Sequence, residues 1–127
     1  MTQLANTLRP LLLLLVAASL AYATHLTQKL GAHPWWADKV IWIGLPVGFA
    51  MAATAWKLRL PRPWRITSFA VLAFVAFAVA HTGKARFAAS YAEDMFAGQM
   101  WYFGWIGACT MAFAALASLT WAKHQTH

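Results

Sequence analysis

The stretch KLRLPRPWR at residues 57–65 decides the fold of this chain. Four cations and two prolines stand within its nine residues, and an apolar run lies on either side, at 40–56 and at 66–82. Prolines this close together mark a turn, and Lys and Arg collect at the membrane surface beside transmembrane segments. The pattern therefore predicts two membrane-spanning helices that are joined by a tight basic turn.

Two further apolar segments lie outside this hairpin, at 10–28 and at 100–121. All four segments reach the roughly 17–25 residues that a transmembrane helix needs. The chain has 127 residues, of which 61% are hydrophobic and only 10% charged, whereas a soluble domain carries about a quarter charged residues. We predict an all-α, integral membrane four-helix bundle of up-down topology, in one domain over residues 1–127.

The first span has an alternative interpretation as a signal peptide. Arg9 precedes a Leu-rich run at 11–23, and residues 21–23 (Ala-Tyr-Ala) have the small-x-small pattern of a cleavage site. We favour a transmembrane helix. Cleavage would leave three helices with an unchanged orientation.

A short amphipathic helix is predicted at 84–97, between the third and fourth spans. Gly83 would end the third span and Gly98 would cap the short helix. Apolar and polar side chains fall on opposite stripes with a period of 3.6, which is typical of a helix lying in the membrane interface. The alternative is an irregular loop. The apolar stripe holds Phe87, Ala88, Tyr91, Ala92, Met95 and Phe96, and the polar one holds Lys84, Arg86, Ser90, Glu93 and Asp94.

The distribution of basic residues predicts the orientation. Six lie on one side of the membrane and four on the other, and the positive-inside rule places the larger set in the cytoplasm. We therefore expect a multi-pass protein of a bacterial-type inner (plasma) membrane, with both termini cytoplasmic. The cytoplasmic set is Arg9, Lys57, Arg59, Arg62, Arg65 and Lys123, and the opposite set is Lys29, Lys39, Lys84 and Arg86.

Most of the polar chemistry collects at the non-cytoplasmic ends of the spans, which an up-down bundle brings together. His25 and His81 are candidate axial ligands of haem b, because both lie near the outer ends of their spans. His33, Met95 and Met100 are candidate copper ligands, since imidazole and thioether suit that metal. Asp38, Glu93 and Asp94 add an acidic group that could relay protons or close a quinone pocket. The alternative is that these histidines are ordinary interfacial residues; His124 and His127 belong to the C-terminal tail.

Two spans carry faces of small residues. Gly44 and Gly48 form a GxxxG pair in the second span, and Gly104 and Ala108 lie on a small face of the fourth. Such faces let helices approach closely. They would serve either self-association or packing within one subunit.

Several classes of function can be ranked from these features. Nucleic-acid binding is excluded because the cations lie in short gaps between spans rather than on one face of a soluble domain. An enzyme is disfavoured, since no hydrolase motif such as H-E-x-x-H is present. The interpretation that demands least is an accessory or assembly subunit of a larger membrane complex, with the lipid bilayer and other membrane subunits as partners. The alternatives are a haem-, quinone- or copper-binding protein and a homo-oligomeric channel or carrier.

Overall fold

The computed structural model describes the backbone of residues 2–121 and the side chains of residues 7–121. Within that range the chain forms five α-helices and no strand: α1 (Thr2–Thr24), α2 (Leu26–Lys29), α3 (Ala37–Lys57), α4 (Arg62–Ala89) and α5 (Met95–Thr120). Lys123, His124 and His127 lie outside the described residues. Four of the helices are long and apolar enough to cross a membrane. The predicted all-α membrane four-helix fold is therefore confirmed.

The fourth long helix, α5, forms the centre of the bundle. It packs against α1, α3 and α4, whereas α4 packs extensively on α5 alone among the described helices. Half of the apolar window of α5 is buried inside the protein, compared with 17% of the windows of α1 and α4. The bundle is therefore open, with grooves on both flanks of α4.

Glycines set the close contacts of α5. A Cβ on Gly48 of α3 would lie 2.5 Å from the Thr110 carbonyl oxygen, and a Cβ on Gly104 would lie 2.7 Å from the Ala80 amide nitrogen of α4. Both distances are too short for any other residue without a backbone shift. The predicted GxxxG pair and small face thus serve packing within one chain, and they are not free for self-association.

The segment at 84–97 differs from the prediction, because no separate interfacial helix lies between the third and fourth spans of the described chain. Gly83 is buried against the backbone of Ala97 and Trp101 inside α4, so the helix does not end there but continues to Ala89. A turn follows in which Tyr91 and Ala92 have positive φ angles of 57° and 66°. The two amphipathic stripes therefore span the end of α4, this turn and the start of α5.

Hydrogen bonds define the two ends of the bundle. At the end that we call the histidine end, the loop at 30–36 meets the end of α4 and the start of α5, and the Trp101 indole Nε1 donates to the Gly31 carbonyl over 3.0 Å. At the opposite end, which we call the arginine end, α3 finishes, α4 begins and α5 finishes. There the Arg62 Nη2 donates to the Trp121 carbonyl over 2.8 Å.

Candidate functional site

His81 is tied to the loop between the first two spans. Its ring Nε2 lies 3.0 Å from the Leu30 carbonyl oxygen, and the ring packs on Phe77 at a centroid distance of 4.3 Å. A carbonyl oxygen only accepts, so Nε2 must carry the proton of this hydrogen bond. Gly31 has a φ of 117°, and a Cβ there would lie 3.1 Å from His81 Cε1, which explains the glycine beside the ring.

His25 occupies a different kind of position. It joins α1 to α2 with a φ of 55°, is exposed, and makes no side-chain capping hydrogen bond. No ring contact or hydrogen bond links it to His81 in the described structure. Axial ligation of a haem requires two imidazoles on facing helices, and the Nε2 atom of His81 is engaged by Leu30. The haem assignment of this pair stays a prediction.

His33 lies within a cluster of aromatic rings at the histidine end. Its Nδ1 accepts a hydrogen bond from the Trp35 amide over 3.0 Å, and its ring stacks on Trp36. The Trp101 ring stands edge-on to both His33 (5.4 Å) and Trp36 (5.3 Å), and Tyr102 packs on Trp36 at 5.0 Å. The signal in the sequence is the pair of aromatic doublets, Trp35-Trp36 and Trp101-Tyr102, at the same end of the bundle.

The candidate copper ligands are not brought together with each other. Met95 lines a groove with Trp36 and Tyr102, whereas Met100 lines another groove with Phe96 and Phe103. Among the side chains from residue 7 to residue 121, no group of three or more His, Cys, Asp or Glu residues could hold a metal ion. A copper site built on His33 and the two methionines stays a prediction.

The three acids lie at helix starts or in turns. Asp94 is the N-cap of α5, where its Oδ1 accepts a hydrogen bond from the Ala97 amide over 3.0 Å. Asp38 lies in the first turn of α3, where the helix dipole favours a negative charge. Glu93 is exposed in the turn before α5. Helix geometry therefore accounts for two of the three carboxylates without a ligand.

An apolar cleft of about 370 Å³ lies between α1, α4 and α5. Phe74 and Phe77 of α4 and Trp105 of α5 line it, and so does Leu30. Trp105 is only 3% exposed, and its indole Nε1 has no hydrogen-bond partner in the described part of the chain. Phe74 is 75% exposed, so the cleft reaches the surface that would face lipid.

The arginine end holds further unpartnered donors, which sequence reasoning missed. Arg65 is 3% exposed, and neither its Nε nor its Nη1 has a hydrogen-bond partner among the described residues. The Nε of Arg62 is in the same condition, although its Nη2 is bonded to Trp121. The basic stretch at 57–65 was interpreted only as charge flanking the membrane. The available signal was the absence of any acid near it in the sequence.

No protein-family model, curated protein or solved structure matches this chain.

Proposed function

We propose that this chain is a small multi-pass membrane protein that binds a quinone-like molecule in the apolar cleft between α1, α4 and α5. The observation that carries the proposal is an apolar cleft with aromatic walls and one buried donor without an acceptor, the Trp105 indole. A quinone has a flat ring, two carbonyl acceptors and an apolar tail. Aromatic side chains stack on such a ring, and a buried donor gains when it finds an acceptor.

The surroundings of the cleft support the same ligand class. The Phe77 ring packs on Trp105 at a centroid distance of 5.4 Å and on His81 at 4.3 Å. The histidine therefore packs against a residue that forms part of the cleft wall. Leu30 also lines the cleft, and its carbonyl oxygen accepts the hydrogen bond of His81. The exposed Phe74 gives a tailed molecule a route from the bilayer.

The other functional predictions have no comparable support. Exposed apolar residues on α4, such as Val71 and Val75, would be covered by lipid as readily as by a partner subunit. The role as an accessory or assembly subunit therefore stays a prediction, as do the homo-oligomeric channel or carrier and the binding of haem or copper.

We also propose that the protein resides in a bacterial-type inner membrane with its arginine end and both termini in the cytoplasm. The support is the count of six basic residues on that side against four on the other, with all three acids on the opposite side.

Ubiquinone-1 is a suitable probe of the proposed function, with binding measured by isothermal titration calorimetry on protein in nanodiscs. Replacing Ala73 with Leu fills the cleft from α4, and Ala78→Leu makes the same change at an exposed position of α4 outside the cleft. We expect saturable binding by the wild type and by Ala78→Leu, and binding at least about tenfold weaker in Ala73→Leu.

A second variant, Trp105→Phe, keeps the aromatic wall and removes the donor, so binding should weaken several-fold. Absence of saturable heat with the wild type, or equal affinity in Ala73→Leu, would show that the cleft does not bind quinones.

A further inference from the structure

Arg65 carries a buried positive charge with no compensating negative charge among the described residues. A buried guanidinium is costly unless an anion and hydrogen-bond acceptors surround it. Its Nε and Nη1 have neither in the described structure, and the Nε of the neighbouring Arg62 has none. Residues three apart on a helix share one face, so the two guanidinium groups repel each other instead of compensating each other. Among the described residues, no acceptor with negative charge compensates the two guanidinium groups.

The chain cannot supply that charge from an acidic side chain. It contains only three Asp and Glu residues, and all three belong to the histidine end: Asp38, Glu93 and Asp94. Further cations, Lys57 and Arg59, are exposed at the arginine end and add to the positive potential there. No acidic side chain of the sequence can therefore balance Arg65 at this end.

A groove of about 440 Å³ lies beside Arg65, between the end of α3 and the start of α4. Arg65 and Ser68 are its polar lining residues, and Ser68 brings a hydroxyl group one turn along the same helix. Trp64, which is 66% exposed, stands at the outer side, as a tryptophan at headgroup level does. Phe69 and Ala55 line it in the direction of the membrane interior.

The start of α4 adds a second source of attraction for an anion. No side chain caps this end of the 28-residue helix, and its N-cap residue is Pro61. Pro63 has no N–H and the Arg65 amide already donates to Pro61, so the free amides of the first turn are those of Arg62 and Trp64. These amides and the helix dipole favour a phosphate near this end. The planar fork of an arginine matches two phosphate oxygens, which a single ammonium does not.

We propose that Arg65, with Ser68, binds the phosphate group of an anionic membrane phospholipid in the groove between α3 and α4. The groove supplies charge at the membrane surface and apolar walls below it, which is the order of chemistry along a phospholipid. A soluble phosphate would use only the first of these two parts. The site is separate from the apolar cleft and independent of quinone binding.

Native mass spectrometry of the full chain in mild detergent tests this proposal, with phosphatidylglycerol, phosphatidylcholine and inorganic phosphate as probes. We expect the wild type to retain one phosphatidylglycerol, with affinity at least about tenfold lower in Arg65→Gln because charge-assisted hydrogen bonds are lost. Arg59→Gln removes the same charge from an exposed position at the same end, and it should bind like the wild type. Arg65→Lys keeps the charge without the fork and should give an intermediate affinity.

Thermal unfolding provides a readout that does not depend on the gas phase. Phosphatidylglycerol should raise the Tm of the wild type and of Arg59→Gln but not that of Arg65→Gln. Equal retention of phosphatidylcholine would overturn the requirement for an anionic lipid. A Tm shift with inorganic phosphate equal to that with lipid would assign the site to soluble anions. Equal losses in Arg59→Gln and Arg65→Gln would show that only the overall charge matters, and the proposed site would be wrong.

Discussion

The histidine end and the arginine end differ in whether their polar side chains find partners within the chain. At the histidine end, His81 is bonded to Leu30, Trp101 to Gly31, and Asp94 to Ala97. At the arginine end, the buried donors of Arg65 have no partner in the described structure, and neither does the indole Nε1 of Trp121.

The difference between the two ends indicates which end of this protein needs a ligand to complete its hydrogen bonds. Histidine and methionine attracted attention in the sequence because they are common metal ligands. Arginine was set aside because it is expected at a membrane surface. The hydrogen bonds point to the arginines instead. Most of the polar side chains discussed at the histidine end have a partner within the chain, whereas buried donors at the arginine end have none among the described residues.

The contact between α4 and α5 connects the two ends of the bundle, and a substitution in this contact should have the largest effect on stability. Gly104→Ala would place a Cβ 2.7 Å from the Ala80 amide nitrogen, so we expect a loss of about 1–3 kcal/mol in the free energy of unfolding. Gly107→Ala, one turn along, meets only the Ala76 Cβ at 3.2 Å and should be nearly neutral. Denaturant unfolding in detergent measures both. Equal stability of the two variants would mean that the contact of α4 with α5 is looser than described.

The arginine end should become more stable when its unpartnered charge is removed. Arg65→Met keeps an unbranched apolar chain and deletes two buried donors, which should raise the free energy of unfolding by about 1 kcal/mol or more in lipid-free detergent. The same unfolding measurement applies. A loss of stability in the absence of lipid would show that Arg65 already has a partner, and the contrast between the ends would disappear.

The histidine end should respond in the opposite direction and by less. His81→Phe keeps a ring against Phe77 but leaves the Leu30 carbonyl without its donor, at an expected loss of about 0.5–1 kcal/mol. An absorption spectrum and metal analysis of both proteins give a second readout. A Soret band or stoichiometric copper in the wild type that is lost in His81→Phe or in His25→Ala would support the predicted cofactor site, and the absence of both signals would count against it.

The spans and the tight-packing glycines could be predicted from the sequence because both depend on local composition. Four apolar segments of sufficient length leave few other folds, and Gly48 and Gly104 do contact other helices closely. The end of the third span could not be predicted in this way. Gly83 has the appearance of a helix stop, and only its contact with the backbone of Trp101 shows that the glycine serves packing.

The sites were harder to predict than the spans, for a related reason. Periodicity does not reveal which helices leave a gap between them. Both the apolar cleft and the groove beside Arg65 exist because α4 packs extensively on α5 alone. Likewise, a sequence shows that Arg65 follows a basic turn, but not that its side chain is buried.

The length of α4 has a consequence for the access of water to the two ends. Its 28 residues extend over about 42 Å, whereas the hydrocarbon core of a bilayer is about 30 Å thick. A typical tilt of about 20° shortens its reach only to about 39 Å, so about 9 Å of helix must stand outside the hydrocarbon. Lys84 and Arg86 lie in its last turns, which places much of this overhang at the histidine end. Water can therefore reach the turn at 90–94 and exchange with its hydrogen bonds, whereas the Nε and Nη1 donors of Arg65 are buried inside the protein.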